Sequence, residues 1–597
     1  AGHSLMWSVF FGILDLVIKQ VRPADDLIGH MANNAHLFKT MYTDTCSHHQ
    51  KENILDLCKR IVRIGEKQFL HDSESGFDFF KATFLYLAND GSLAQKSKSL
   101  HILAPLLRCS RPVEDLKTVI DDLIVYNFPS KFHDIPKGST LYAEIQECLE
   151  CLMEALQASK SVLLGQSLLP LLRYDEKHPF TELLTDQWAN FVHHLPENKA
   201  QEFFTFALSE FNDTSHKDQL RLAITKQLCV PLIHQFSVAG CVQAVSPHIN
   251  HFMKTVTAVL TPQLHAPEQN ITNMIERTCT FLLLRAIFDV CPSKTIKESL
   301  NHIFCPTESS KKNELTTAVM RAAHSAKAKK IEGDHGIPSH VIREYQCTAY
   351  NALASAVICT QTNPSFFNVF FFKENKTKGE FIWEHIVDTD DVLKFDVETH
   401  FPTMKSYSEQ IRSRNKSDTG KEDEDEAPRY VSSQYLMETS LSQDITYLAS
   451  LYNSQQTTGT QAATYEDFQL KQDKKEAKQN ADVSTSSVVA ENLELDTINQ
   501  NPCMPSLLRL IDHIHAQFGH TQKENQMPEW MKLMHNVFSD GNTDPNVLIF
   551  LGKVIINRPM IFEAFASSWL EPLLNLALTP VVSNGFNYYF RDLCITL

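Results

Sequence analysis

The residues of this chain with the most suggestive spacing are hydroxyls followed by glutamine. From Ser432 to Gln461 the sequence reads SSQYLMETSLSQDITYLASLYNSQQTTGTQ, and Ser433, Ser442, Ser454 and Thr460 each precede Gln directly. The window holds 11 Ser or Thr and five Gln, a composition in which about two such pairs arise by chance. Pairs of this kind suit protein kinases that select Gln after the acceptor. Each phosphate adds about −1.5 to −2 charge at neutral pH, so four would add roughly −6 to −8. They would fall on a stretch, 403–500, that already carries ten basic and 17 acidic residues. The plainer alternative is a polar linker with incidental pairs.

Other reactive residues carry weaker patterns. Cys148-Leu149-Glu150-Cys151 is a single CxxC in an apolar run; without a second pair it reads as two core cysteines rather than half of a zinc site. His248 and His251 lie one helical turn apart with Cys241 upstream, a spacing open to metal binding but equally to a hydrated helix face. Neither G-x-G-x-x-G nor a P-loop occurs, and IPKGST (135–140) lacks the required glycine. The H-R-D and D-F-G motifs of a kinase site, G-x-S-x-G and H-E-x-x-H are also missing, so no catalytic or metal residues are assigned.

The elements that would position these residues read as helices. Ile54, Leu57, Cys58, Ile61 and Val62 share a helical face that Gly65 would close. Leu116, Val119, Ile120, Leu123 and Ile124 repeat the pattern until Pro129. So do Leu141 to Leu156, Phe180 to Phe191, Ile271 to Leu282 and Leu507 to Phe518. Pro528 suits the first turn of PEWMKLMHNVF. FFNVFFF (366–372) and KVIIN (553–557) are the strand-like runs, and both are compatible with buried helix. Near the start, Trp7, Phe10, Phe11, Leu14, Val17, Ile18 and Val21 line one helical face rather than a signal peptide, since Asp15 interrupts the run. Helices with short polar joints predict an all-α protein, an irregular HEAT-like α-solenoid with a long disordered insertion. The expected organisation is solenoid over 1–402, an acidic Ser/Thr/Gln-rich insertion over 403–490, and solenoid again over 491–597. Within 431–490, 16 of 60 residues are Ser or Thr and eight are Gln, too few apolar groups to offset ordering entropy.

Bulk composition narrows the function. The 597 residues are 43% apolar and 21% charged, with only 18 glycines, against a Gly-rich nucleotide fold. The net charge of −16 opposes nucleic acid or membrane surface as the main partner. Fourteen cysteines stand mostly among apolar residues, as reduced thiols of a cytosolic or nuclear protein do. The start at Ala1 and the end in DLCITL suggest a piece of something longer.

Four stretches carry a resemblance: LGQSLLPLLRYDEKHPFTELLTDQWANFVHHLPENKAQEFFTFAL (164–208), ENLELDTINQNPCMPSLLRLIDHIH (491–515), PEWMKLMHNVF (528–538) and VLIFLGKVIINRPMIFEAFASSWLEPLLNLA (547–577). They resemble the middle solenoid of a phosphatidylinositol-3-kinase-related kinase of the branch that repairs DNA double-strand breaks by end joining. The resemblance covers the whole chain, in the order solenoid, Ser/Thr-Gln segment, solenoid. It implies a giant serine/threonine kinase parent, nuclear, using ATP and Mg at a kinase domain far C-terminal to this segment. It implies no cofactor within the segment itself. The implied partners are the Ku heterodimer, DNA ends and the parent's own kinase domain, with no membrane. It further implies autophosphorylation at Ser433, Ser442, Ser454 and Thr460, of which Ser454, in SLYNSQ, best matches the family's cluster. Where an Arg-rich run is expected after the cluster, this chain has LKQDKKEAKQ (470–479), as a non-mammalian member would. The competing reading is a HEAT-type adaptor for transport or phosphatase assembly with an incidental acidic linker.

Overall fold

The computed structural model describes residues 48–90, 93–108, 114–127, 135–172, 180–258 except 214, 267–306, 313–328, 337–363, 501–518, 527–579 except 542, and 584–597. Isolated positions between these, such as Ala32, Phe367 and Ile386, are also described. Every regular element among them is helical, and none is long and apolar enough to cross a membrane. The seven apolar residues of the expected helix at Trp7–Val21 lie outside the described residues, although Ser8, Val9, Gly12, Ile13 and Leu16 between them are described and helical; the insertion 403–490 and most of FFNVFFF also lie outside.

The chain divides into two compact units, one of residues 1–323 with 333–341, the other of 324–332 with 342–597. In the first unit the longer helices are α1 (His48–Glu66), α2 (Glu74–Asp90), α3 (Leu93–Leu100), α4 (Leu103–Arg108), α5 (Glu114–Asn127), α6 (Thr140–Ser159), α7 (Val162–Leu168), α8 (Thr181–His193), α9 (Glu197–Asn212), α10 (Asp218–Ile224), α11 (Val230–Gln235), α12 (Val238–Val245), α13 (Ile249–Thr257) and α14 (Pro267–Val290). Each packs on helices one to four places along the chain: α6 on α3, α4 and α8, α9 on α11 and α12, α14 on α10, α11 and α13. Near-neighbour packing of this kind is what makes a helical repeat array, and the irregular helix lengths make it a HEAT-like α-solenoid rather than a strict repeat.

Aromatic side chains fill the seams. Trp188 is fully buried, Phe191 meets Phe203 edge-on at 5.0 Å, and Phe204 meets Phe236 at 5.6 Å. Gly165 allows the closest approach of α7 to α9, since a Cβ there would lie 2.8 Å from the Phe203 ring. Arg221 locks α10 to α9: its Nε donates to Phe211 O at 2.9 Å, and its guanidinium lies over the Phe211 ring.

Two expectations are refined. Gly65 does not close α1; the helix runs to Glu66 and continues as a π-helical turn, Lys67–His71. Burying Phe69 and Leu70 holds the chain helical past a residue whose weak propensity alone would end it. KVIIN is helical, within Pro545–Asn557, where Val554, Ile555 and Ile556 are all buried. Of the twelve cysteines described, all are free thiols and nine are buried. Cys58, for example, is pushed up to about 12 by burial.

By residue number α15 (Glu314–Ala328) lies mostly in the first unit and α16 (Ser339–Thr360) mostly in the second, which continues with α17 (Met504–Phe518), α18 (Glu529–Ser539), α19 (Pro545–Asn557), α20 (Ala566–Leu578) and α21 (Asn584–Thr596). Again neighbours pack in chain order: α17 on α19, α18 on α20, α19 and α20 on α21. Trp569 centres this core. Arg558, just after α19, makes a two-pronged pair with Asp512 of α17 at 2.6 and 2.7 Å.

Candidate regulatory site at the base of the Ser/Thr-Gln segment

The four candidate acceptors, Ser433, Ser442, Ser454 and Thr460, lie outside the described residues. What is described is the base from which their segment departs and to which it returns. The departing side is α16 and the helical residue Ile386; the returning side is Asn501 to Cys503 and the start of α17. Three hydrogen bonds tie the two sides, and a fourth joins Ile386 to α16 within the departing side. Asn351 Nδ2 donates to Pro502 O at 2.8 Å, and Asn501 Nδ2 donates to Ile386 O at 3.1 Å. The Cys503 thiol donates to Cys347 O at 3.6 Å, and the Cys347 thiol to Ile386 O at 3.7 Å. Phe367 packs against His513 at 5.7 Å.

The local sequence explains the join. In α16, Tyr345, Cys347, Ala349–Leu353 and Ala356 are buried. This helix therefore lies inside the unit, and small residues let the returning chain approach its backbone. Pro502 has no N–H to leave unpaired, so its carbonyl is the group that needs a partner, and Asn351 supplies it. Asn501 turns the chain by accepting the Cys503 N–H on its own Oδ1 at 2.9 Å while its amide reaches Ile386.

Asn351 is 2% exposed. Asn351→Ala is therefore expected to remove the side-chain partner of Pro502 O and to cost about 0.5–1.5 kcal/mol. The check is faster amide hydrogen exchange over 501–507, with α20 unchanged. A uniform loss across the unit would instead mark Asn351 as general core.

His513 adds a pH response. Burial holds its imidazole below the ordinary range. The unfolded chain then takes up the proton first as pH falls. The stability contributed is full above the unfolded value of about 6.5 and is lost as pH drops from there through the folded value. Protection over 501–514 is expected to be weaker at pH 5.5 than at 7.5 after correction for intrinsic exchange. Equal protection in wild type and His513→Gln at both pH values would refute this.

Two further pairs of the same type stand apart from the cluster and escaped the sequence reading: Thr521-Gln522, which lies outside the described residues, and Thr360-Gln361. The latter ends α16, and the Thr360 hydroxyl donates to Ala356 O at 2.6 Å. Its acceptor is held within the last helical turn, not in extended chain.

The remaining sequence candidates separate in the structure. Cys148 and Cys151 are both buried on α6 and both pushed up to about 12, chiefly by burial. Cys151 Sγ lies 3.4 Å from His101 Nδ1 but also 3.8 Å from Nε2, while Nε2 meets Glu147 Oε1 at 2.8 Å. A thiol in line with the Nδ1 lone pair would stand about 5 Å from Nε2. The sulfur therefore lies against the ring, and the Cys-His-Glu trio has no direct proton path. Cys241 shares a hydrogen bond with Cys291, which together with burial pushes it upward. His248 caps α13 and stacks on Phe252, and burial lowers its pKa. The structure thus does not gather Cys241, His248 and His251 into a ligand set.

Comparison with known proteins follows the chain closely. Residues 221–597 match the family described as DNA-dependent protein kinase catalytic subunit, CC3, and residues 3–165 match its CC1/2 region. The DNA-dependent protein kinase catalytic subunit of Dictyostelium discoideum is 31% identical over 569 residues, covering 92% of this chain and 13% of the relative. Its counterpart in Mus musculus is 25% identical over 576 residues, covering 92% and 13%. That of Gallus gallus is 23% identical over 630 residues, covering 100% and 15%. The chain therefore spans about one-seventh of these relatives' length.

Proposed function

Because the chain belongs to the DNA-dependent protein kinase catalytic subunit family, we propose that it is a helical scaffold segment of a DNA-end-activated serine/threonine kinase acting in double-strand break repair by non-homologous end joining. The observation that carries the regulatory part is the closed base. Residues 388–500 leave and re-enter the solenoid at one place, held by Asn351, Asn501 and Cys503. Charge added between those points can change what the insertion contacts without unpicking the helices beneath it. In this reading 403–490 is a disordered acidic insertion, and Ser433, Ser442, Ser454 and Thr460 are autophosphorylation acceptors. The scaffold positions the kinase domain, the Ku heterodimer and DNA ends in the nucleus. ATP and Mg serve the kinase domain elsewhere in the parent. The family places a HEAT-type transport or phosphatase adaptor well behind this reading.

The test is phosphosite mapping by mass spectrometry after incubating the 597-residue chain with the DNA-end-activated kinase, with and without DNA. DNA-dependent phosphate at the four insertion sites, with Thr360 unmodified, supports the proposal. Thr360 shares the Thr-Gln dipeptide but not the setting, so it is the internal control. Phosphate equal at Thr360 and in the insertion, or absent from the insertion, would overturn the regulatory reading.

A further inference from the structure

The loop joining α9 to α10 gathers three metal-ligating side chains that the proposed scaffold role does not use. Glu210 sits in the last turn of α9, Asp213 caps that helix, and His216 follows in the connecting turn. One ligand atom from each lies within 4.8 Å of the other two. Spacing alone would not bring them together, since positions i and i+6 lie on different faces of a continuous helix. The turn does it. Asp213 N donates to Glu210 O at 3.2 Å, Ser215 N donates to Asp213 Oδ1 at 2.8 Å, and His216 N donates to Asp213 O at 3.3 Å. The chain folds back and returns His216 over Glu210, where Nε2 and Oε2 stand 2.8 Å apart. Both side chains are largely covered, with 24% and 17% exposed, while Asp213 faces solvent.

We propose that Glu210, Asp213 and His216 form a binding site for a first-row divalent cation, Zn²⁺ in particular. The donor set is mixed. An imidazole nitrogen with two carboxylate oxygens favours zinc over Mg²⁺ or Ca²⁺, which take oxygen-only shells. The dimensions fit. Zinc lies about 2.0–2.2 Å from such ligands, so a 2.8 Å nitrogen–oxygen edge subtends close to a right angle at the ion. Widening that edge to about 3.3 Å gives a tetrahedral angle, a shift two partly exposed side chains can make. Water would complete the shell on the open side. The neighbouring cation does not compete: Arg221 is turned to Phe211 O and to Asp218 at 3.6 Å, and Asp218 also accepts from Thr272. A bound ion would fasten the α9–α10 turn and with it the seam to α14.

The test uses Zn²⁺ itself on the 597-residue chain, by equilibrium dialysis and by thermal melts with and without the metal. Wild type is expected to hold one Zn²⁺ more than His216→Gln and to melt higher with the metal. The His216→Gln chain is expected to bind at that site at least 10-fold more weakly and to show no such shift. Asp213→Asn keeps the turn, because its amide oxygen still accepts from Ser215, and is expected to weaken binding without changing the metal-free melt. Glu210→Gln serves in place of His216→Gln if circular dichroism shows the latter misfolded. Equal zinc stoichiometry and affinity in wild type and all folded variants would overturn the site, as would no binding by wild type at 100-fold molar excess.

Discussion

Trp569→Ala is expected to cost the second unit about 3–5 kcal/mol, the range for emptying an aromatic from a packed core. Trp569 is fully buried. Its ring lies 5.2 Å from His535, 5.5 Å from Phe538 and 5.6 Å from Phe562, so one truncation strips contacts from the seam of α18 and α20 at once. Those edge-on pairs each add about 0.5–1.5 kcal/mol beyond area burial. The indole N–H has no partner among the described residues, so removing it forfeits no hydrogen bond. Trp569→Phe should therefore recover most of the loss. Hydrogen exchange over 529–596 would check both. The alanine chain should show protection in α18, α20 and α21 reduced by roughly 10²- to 5 × 10³-fold, and the phenylalanine chain much less. Equal losses in the two would mean that the N–H, not the ring, matters.

Deleting 403–490 is expected to abolish all insertion-borne phosphorylation while leaving the second unit folded. The contacts at its base are made by Asn351, Ile386, Asn501, Pro502 and Cys503, and none lies in the deleted stretch. About 25 residues of connector would remain, ample to span the join at ~3.3 Å per residue. Treated as flexible chain, the loop between Val387 and Asn501 becomes more than fourfold shorter, which lowers its closure entropy by about 1 kcal/mol in favour of folding. The melt should thus stay put or rise slightly. A fall of several degrees would show that the insertion contributes packing of its own, against the disordered reading. A normal melt with undiminished phosphorylation would move the acceptors elsewhere in the chain.

The helices were legible because each leaves a local mark. The run from Leu141 to Leu156 and that from Leu507 to Ile514 advertise their buried faces within one or two turns, and KVIIN proves helical once its length and neighbours are counted. Gly65 misleads because propensity is a weak term that burial of Phe69 and Leu70 outweighs. The base of the insertion was not legible at all. Asn351 and Pro502 are 151 residues apart, and nothing in either neighbourhood names the other. The Glu210–Asp213–His216 group lies between these extremes. Its three residues lie within seven positions, yet only the turn after Asn212 brings the seventh back over the first, and helical periodicity read straight through would set those two apart. The Ser/Thr-Gln acceptors rest on sequence throughout.

The buried thiols have a practical corollary. Cys58, Cys148, Cys229, Cys279, Cys347 and Cys503 are spread along the array, each shut away from solvent and none in a disulfide. A protonated thiol in such a place cannot be alkylated until its own stretch of helices breathes open. The chain therefore carries a built-in series of clocks. Labelling rates read out cysteine by cysteine would order the repeats by how readily each one parts from its neighbours. They would locate, within each unit, the stretch of stacked helices that opens most readily.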